Sequence, residues 1–208
     1  MTDWATTASL ATAGGTMILA LATFGSTRSA NRAARTAERA MQAGLRPLLQ
    51  SSRLQDPAEK VMWSDVHFAK LPGGQATMEV EDGIVYMACA LRNVGPGIAV
   101  LRGWHVAVGF DPDRPRTPVD DFRRQGRDIY IAPGDHGYWH AALREPDDPL
   151  RPIVTSGIDH HDRMTIDLLY GDFEGGQRTV TRVGLTWRND VWIANTARHW
   201  NLDRDDPR

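Results

Sequence analysis

One cysteine in 208 residues, Cys89, excludes an intramolecular disulfide. A thiol nucleophile there would need a base that the sequence does not reveal, so Cys89 reads as a buried core residue. Lysine is nearly as scarce: Lys60 and Lys70 are the only two, and arginine carries the rest of the positive charge. No G-x-S-x-G elbow and no H-E-x-x-H pair occurs, and no glycine-rich phosphate loop opens a helix. Gly73-Gly74 and Gly175-Gly176 fall between apolar runs and read as hairpin turns. A hydrophobic fraction of 41% and a mean hydropathy of −0.41 exclude a polytopic membrane protein. Net charge is only −2, but it is unevenly placed. Residues 1–54 hold Arg28, Arg32, Arg35, Arg39, Arg46 and Arg53 against Asp3 and Glu38, and the remainder is acidic. An acidic body lacks the basic face that phosphates require, so nucleic acid is not an expected partner.

What is present begins with WATTASLATAGGTMILALATFGSTRSANRAARTAER, which carries no charge before Arg28. A membrane-spanning helix needs roughly 20 mostly apolar residues, and Trp4 to Thr27 meets that length. Its threonines can bond back to the carbonyl four residues earlier, and Trp4 sits where an interfacial aromatic belongs. A cleaved signal peptide fits less well, because the chain opens Met-Thr-Asp rather than with positive charge. A buried helix is the third reading. The sequence therefore predicts a single-pass anchor in the inner membrane, with the lipid bilayer as a partner. All the nearby arginines follow the span, which places the N-terminus outside and the C-terminal domain in the cytoplasm.

Ala11 and Gly15, four residues apart, predict close helix packing and a homo-oligomer formed through this helix. Arg28, Arg32, Arg35 and Arg39 form a basic juxtamembrane extension. Ala30, Ala34, Ala37, Met41, Gly44 and Leu48 give it a narrow seam suited to a coiled coil. The alternative is a helix lying on anionic headgroups. Pro47 ends the helix, which divides the chain into an anchor, 1–47, and a second domain, 48–208.

From Leu48 onward, helical spacing gives way to alternation. Strands are expected at 61–68, 75–81, 83–93, 98–110, 127–132, 136–143, 164–172, 177–187 and 191–200. The near-continuous apolar run at 83–93 suits a strand covered on both faces. Helices able to make parallel crossovers are missing from this reading. The expected fold is mainly β: an antiparallel β-sandwich, immunoglobulin-like though without that fold's cysteines, preceded by one long N-terminal membrane-anchor helix.

The phrase LRNVGPGIAVLRGWHV resembles a strand–turn–strand unit of bacterial immunoglobulin-like sandwiches, and IAPGD before the next strand fits the same style. The composition is that of a high-GC genome. The layout of anchor, basic helix and sandwich resembles uncharacterised actinobacterial single-pass membrane-anchored β-sandwich proteins. That resemblance implies a fold and no activity.

Three clusters are candidates for chemistry. Asp159-His160-His161-Asp162 holds metal-ligand types. Adjacent strand residues face opposite ways, so Asp159 with His161, or His160 with Asp162, are the pairs able to share an ion, with His136 and His140 as remote partners. The competing reading is a solvated loop. The insertion 111–128 is rich in Asp, Arg and Pro. Its Arg123, Arg124 and Arg127 suit an acidic partner, and the competing reading is a self-neutralising hairpin tip. Trp139, Trp187, Trp192 and Trp200 suit either a sugar-binding platform or a core. The tail from Asp203 to Asp206 reads as a frayed end. With no catalytic residue and no cofactor indicated, the expected function is a membrane-tethered protein-binding or scaffold protein. The alternatives are an extracytoplasmic ligand- or glycan-binding domain, and a metal-dependent hydrolase acting through His160 and His161.

Overall fold

The computed structural model describes residues 4–111 and 113–204, with only the backbone described at 4–11 and 18. Two compact units divide the chain, Met1–Ala43 and Gly44–Arg208.

The first unit is helix α1 (Trp4–Gly44). Alanine and arginine favour it, and its hydroxyls serve it rather than oppose it. Thr16, Thr23 and Thr27 each donate to the carbonyl four residues back, at 2.9, 2.8 and 2.8 Å. Yet among the described residues no helix is long and apolar enough to cross a membrane. This overturns the expected single-pass inner-membrane anchor, and with it the N-out orientation and the cytoplasmic placement of the C-terminal domain. The physical reason is composition: Gly14, Gly15, Thr16, Thr23, Gly25, Ser26 and Thr27 dilute the apolar character of the helix ahead of Arg28. The side chains of Trp4 and Ala11 lie outside the described residues, so the Ala11–Gly15 packing pair does too. Arg28, Arg32, Arg35 and Arg39 lie along α1 and are exposed.

The second unit holds strands β1 (Leu49–Ser51), β2 (Glu59–Met62), β3 (Phe68–Leu71), β4 (Gln75–Glu81), β5 (Ile84–Asn93), β6 (Ala99–Val108), β7 (Arg123–Ile131) and β8 (His136–Leu143). Helix α2 (Leu150–Asp159) follows, and then β9 (Met164–Gly171), β10 (Thr179–Arg188) and β11 (Val191–Asn201). Nine of these strands form a single antiparallel sheet, ordered β1-β5-β4-β11-β10-β9-β6-β7, with β8 also on β5. On β5, Val85–Arg92 pairs with β8 along one edge, while β4 and β1 share the other edge end to end. The expectation was a sandwich of two sheets, but the hydrogen bonding runs through one curled sheet. Bulges at Leu101/Gly103 and Arg182/Val183 shift the register, and such bulges bend long strands.

The core fills the concave face. Met164, Ile166, Leu168 and Tyr170 on β9 are fully buried there, with Met87, Leu91 and Trp139. The run 83–93 is covered on both faces as its composition requires. Cys89 and Leu91 join the main core, while Tyr86, Ala88 and Ala90 pack under Val61, Trp63 and Leu71 of the β2–β3 hairpin. Burial pushes the Cys89 thiol up to about 12, so it is no nucleophile at neutral pH.

Candidate functional site

β7 and β8 follow one another across Ala132-Pro133-Gly134-Asp135, yet they do not pair. In the sheet ladder β7 pairs with β6 and β8 pairs with β5. The two strands stay close at their base, where a Cβ on Gly137 would sit 3.2 Å from Ile131. Further out they splay around a cleft of about 370 Å³, which Trp63 and Trp104 also line. Two of the lining side chains bond to backbone carbonyls of β8. Gln125 Nε2 donates to His140 O at 3.0 Å, and Trp63 Nε1 donates to Ala141 O at 2.9 Å.

His140 carries the unusual feature of this cleft. The residue is 7% exposed, and neither ring nitrogen has a hydrogen-bond partner among the described residues. Gln125 Oε1 is buried and unpartnered as well. Burial, then the nearby charges of Arg127 and Arg144, push the His140 pKa down to about 4. The ring is therefore neutral at pH 7, with one nitrogen able to donate and one able to accept. The unfolded chain protonates this group near 6.5, so stability is complete above that pH. It falls as the pH drops through 6.5 toward the folded value. At pH 5 the loss from His140 should be on the order of 1–2 kcal/mol. Urea unfolding at pH 7 and pH 5 checks this: His140→Gln should lose less between the two pH values than the wild type does.

The charged groups at the mouth differ in their commitments. Arg144 is held by Asp65, with Nη2 to Oδ2 at 3.0 Å, and Tyr86 OH donates to the same carboxylate at 2.8 Å. Arg124 and Arg127 also line the cleft; both are exposed, and their guanidiniums make no ion pair or hydrogen bond among the described residues. Arg123, the third arginine singled out from the sequence, is committed elsewhere. Both its terminal nitrogens bond Asp148, Nη2 to Oδ1 at 2.7 Å, and its guanidinium lies 5.5 Å from the centre of Trp104. The expected hairpin tip is in part regular structure, since β7 begins at Arg123.

The metal candidates do not converge. Asp159 ends α2 and His160 caps it, with His160 Nδ1 2.8 Å from Ser156 O. The His161 ring stacks on Trp187, centroids 4.3 Å apart and planes at 5°. Asp162 and Asp159 are exposed. Residues turning through a helix end do not alternate as strand residues would, so the expected pairings are lost. Among the described residues no group of three or more His, Cys, Asp or Glu could hold a metal ion. His136 lies beside Glu59 and Asp135 instead, at 3.3 and 3.4 Å.

Nor do the tryptophans form an exposed platform. Trp139 and Trp192 are in the main core, and Trp200 is buried beneath the guanidiniums of Arg182 and Arg198. In the tail, Asp203 is tied to Arg178 by bonds from the backbone N–H and the guanidinium, both at 2.7 Å, while Asp205 and Asp206 lie outside the described residues. Sequence patterning does not group His140, Gln125, Trp63 and Trp104 as a site, because they sit on four different elements: β8, β7, the turn after β2, and β6. No protein-family model matches the chain, and neither a curated protein nor a solved structure matches it.

Proposed function

We propose that this chain is a non-catalytic binding protein whose β7–β8 cleft receives an anionic ligand. The observation that carries the proposal is the pair of unpaired guanidiniums, Arg124 and Arg127, beside the buried and unpartnered His140 ring and Gln125 Oε1. Native proteins satisfy nearly all their buried polar atoms, so a cluster of unsatisfied ones in a cleft is best completed by a ligand. The lining argues for binding over chemistry. It holds no carboxylate and no thiol, and a histidine with a pKa near 4 is a poor proton shuttle at pH 7. The role keeps the binding character expected from the sequence and needs no anchor in a membrane.

The test is thermal unfolding of the full chain against a panel of carboxylates, with ionic strength held constant by chloride. At least one should raise the Tm of the wild type saturably, as a ligand of the native state does. The Arg124→Glu/Arg127→Glu variant should show no such rise. Equal shifts in both proteins would place the anion elsewhere and overturn the proposal.

A further inference from the structure

We infer that the ligand of the β7–β8 cleft is a small aromatic carboxylate bearing a ring hydroxyl or amine. The inference rests on the binding role proposed above and specifies its ligand class. The cleft volume of about 370 Å³ falls within the usual span of small-molecule sites, roughly 300–1,000 Å³. Trp63 and Trp104, both largely buried, are among its lining residues. Trp63 has already spent its indole N–H on Ala141 O, so it offers the ligand ring surface only. Gly126 adds no side chain to the β7 wall, and a Cβ there would meet nothing within 4 Å. A flat ring is the body that such walls bury well.

The polar atoms set the rest of the ligand. Two guanidiniums without partners call for a carboxylate, which they meet through paired N–H donors. Arg144 adds little further charge, because Asp65 neutralises it. Gln125 is more restrictive. Its Nε2 is fixed on His140 O, which leaves Oε1 as a buried acceptor. An anion alone would leave that oxygen unmet. A ring O–H or N–H meets it and still leaves the neutral His140 ring able to give or take one bond. An aliphatic dicarboxylate lacks both the ring and the donor.

The experiment is titration of the full chain, followed by calorimetry and by tryptophan fluorescence, which Trp63 and Trp104 should report. The probes are 4-hydroxyphenylacetate, phenylacetate, 4-hydroxyphenylethanol and adipate. 4-Hydroxyphenylacetate should bind saturably. Loss of the hydroxyl, of the carboxylate, or of the ring should each weaken binding tenfold or more. Gln125→Leu should bring phenylacetate level with 4-hydroxyphenylacetate, and Arg124→Glu/Arg127→Glu should erase the advantage of the carboxylate over the alcohol. Should Gln125→Leu fail to fold, the phenylacetate comparison on the wild type decides the donor requirement alone. Adipate binding as tightly as 4-hydroxyphenylacetate, and lost in the double arginine variant, would overturn the aromatic class while leaving an anion-binding cleft. Failure of every carboxylate to bind the wild type would overturn both.

Discussion

Asp167→Ala should destabilise the second unit by about 3–5 kcal/mol, because it strands a buried guanidinium without its counter-charge. Asp167 lies on β9 between Ile166 and Leu168, which face the core, and so points to the opposite face of the sheet. It is nonetheless fully buried, because the segment around Arg114–Thr117 covers it. Arg182 on β10 meets it with two bonds, Nε to Oδ1 at 2.7 Å and Nη2 to Oδ2 at 2.8 Å. Thr117 donates to Oδ2 at 2.6 Å, and Arg182 also donates to the carbonyls of Arg114 and Pro115 at 2.8 and 3.0 Å. The ion pair thus pins an irregular segment onto the sheet. Asp167→Leu/Arg182→Met should recover much of the loss, since apolar groups of similar size often replace a buried pair at little cost. Denaturant midpoints of the three proteins measure both effects, and a single-variant loss below 1 kcal/mol would mean that water reaches the pair.

Acid should reproduce the same weakening. Burial raises the Asp167 pKa, but the bonds from Arg182 and Thr117 and the charges of Arg182 and Arg114 lower it further, so its carboxyl lies below the usual range. Its contribution is therefore complete above the unfolded value of about 3.9 and is lost as pH falls through the depressed folded value. In Asp167→Asn this acid-dependent component should vanish.

Elements with plain alternation were legible from their side chains. β4 and β8 fall at 75–81 and 136–143, the expected spans: QATMEVE alternates polar and apolar residues, and HGYWHAAL is set off by the turn Pro133-Gly134-Asp135 before it. α1 is legible as a helix, but its uncharged run misleads as a membrane span, since alanine, glycine and back-bonded threonine are too weakly apolar. The expected strand at 61–68 is a hairpin instead. Its turn puts Val66 at φ +66°, where a β-branched residue rarely sits, and no glycine or proline announces it. α2 was hidden by Pro149, Pro152 and Gly157, each a breaker on local grounds. Its Gly157 is there for packing: a Cβ would come within 2.9 Å of Val108. The cleft could not be read at all. It depends on two consecutive strands failing to pair, and the charged start of β7 looked like loop. Arg124 and Arg127 were singled out for their charge, but the partner that removes Arg123 from that set, Asp148, comes from a different segment.

Asn93→Ala should cost about 4 kcal/mol or more, because it removes one side chain that serves four backbone groups, three of them in buried bonds and one in a part-buried bond. Asn93 ends β5 and is fully buried. Its Nδ2 donates to Gly97 O at 2.6 Å and to Ile131 O at 2.9 Å. Its Oδ1 accepts from Leu48 N at 3.1 Å and from Gly95 N at 3.0 Å. The amide therefore uses its whole donor and acceptor capacity, and it joins the entry to β1, the turn after β5 and the end of β7. The phrase Arg-Asn-Val-Gly-Pro-Gly is thus more than a turn. The chain at 45–48 passes so close that a Cβ on Gly97 would fall 1.7 Å from Leu45 O, and one on Gly95 2.4 Å from Arg46 O. Each orphaned buried group costs roughly 1–3 kcal/mol, and partial entry of water keeps the four from adding fully. Asn93→Asp separates geometry from bonding. It keeps the shape but turns an oxygen toward the carbonyls of Gly97 and Ile131, so it should be at least as damaging as alanine. Hydrogen exchange gives a local readout, with the amides of Leu48 and Gly95 losing protection in Asn93→Ala. A denaturant midpoint within 1 kcal/mol of the wild type, with those amides still protected, would show that the segments hold together without the side chain.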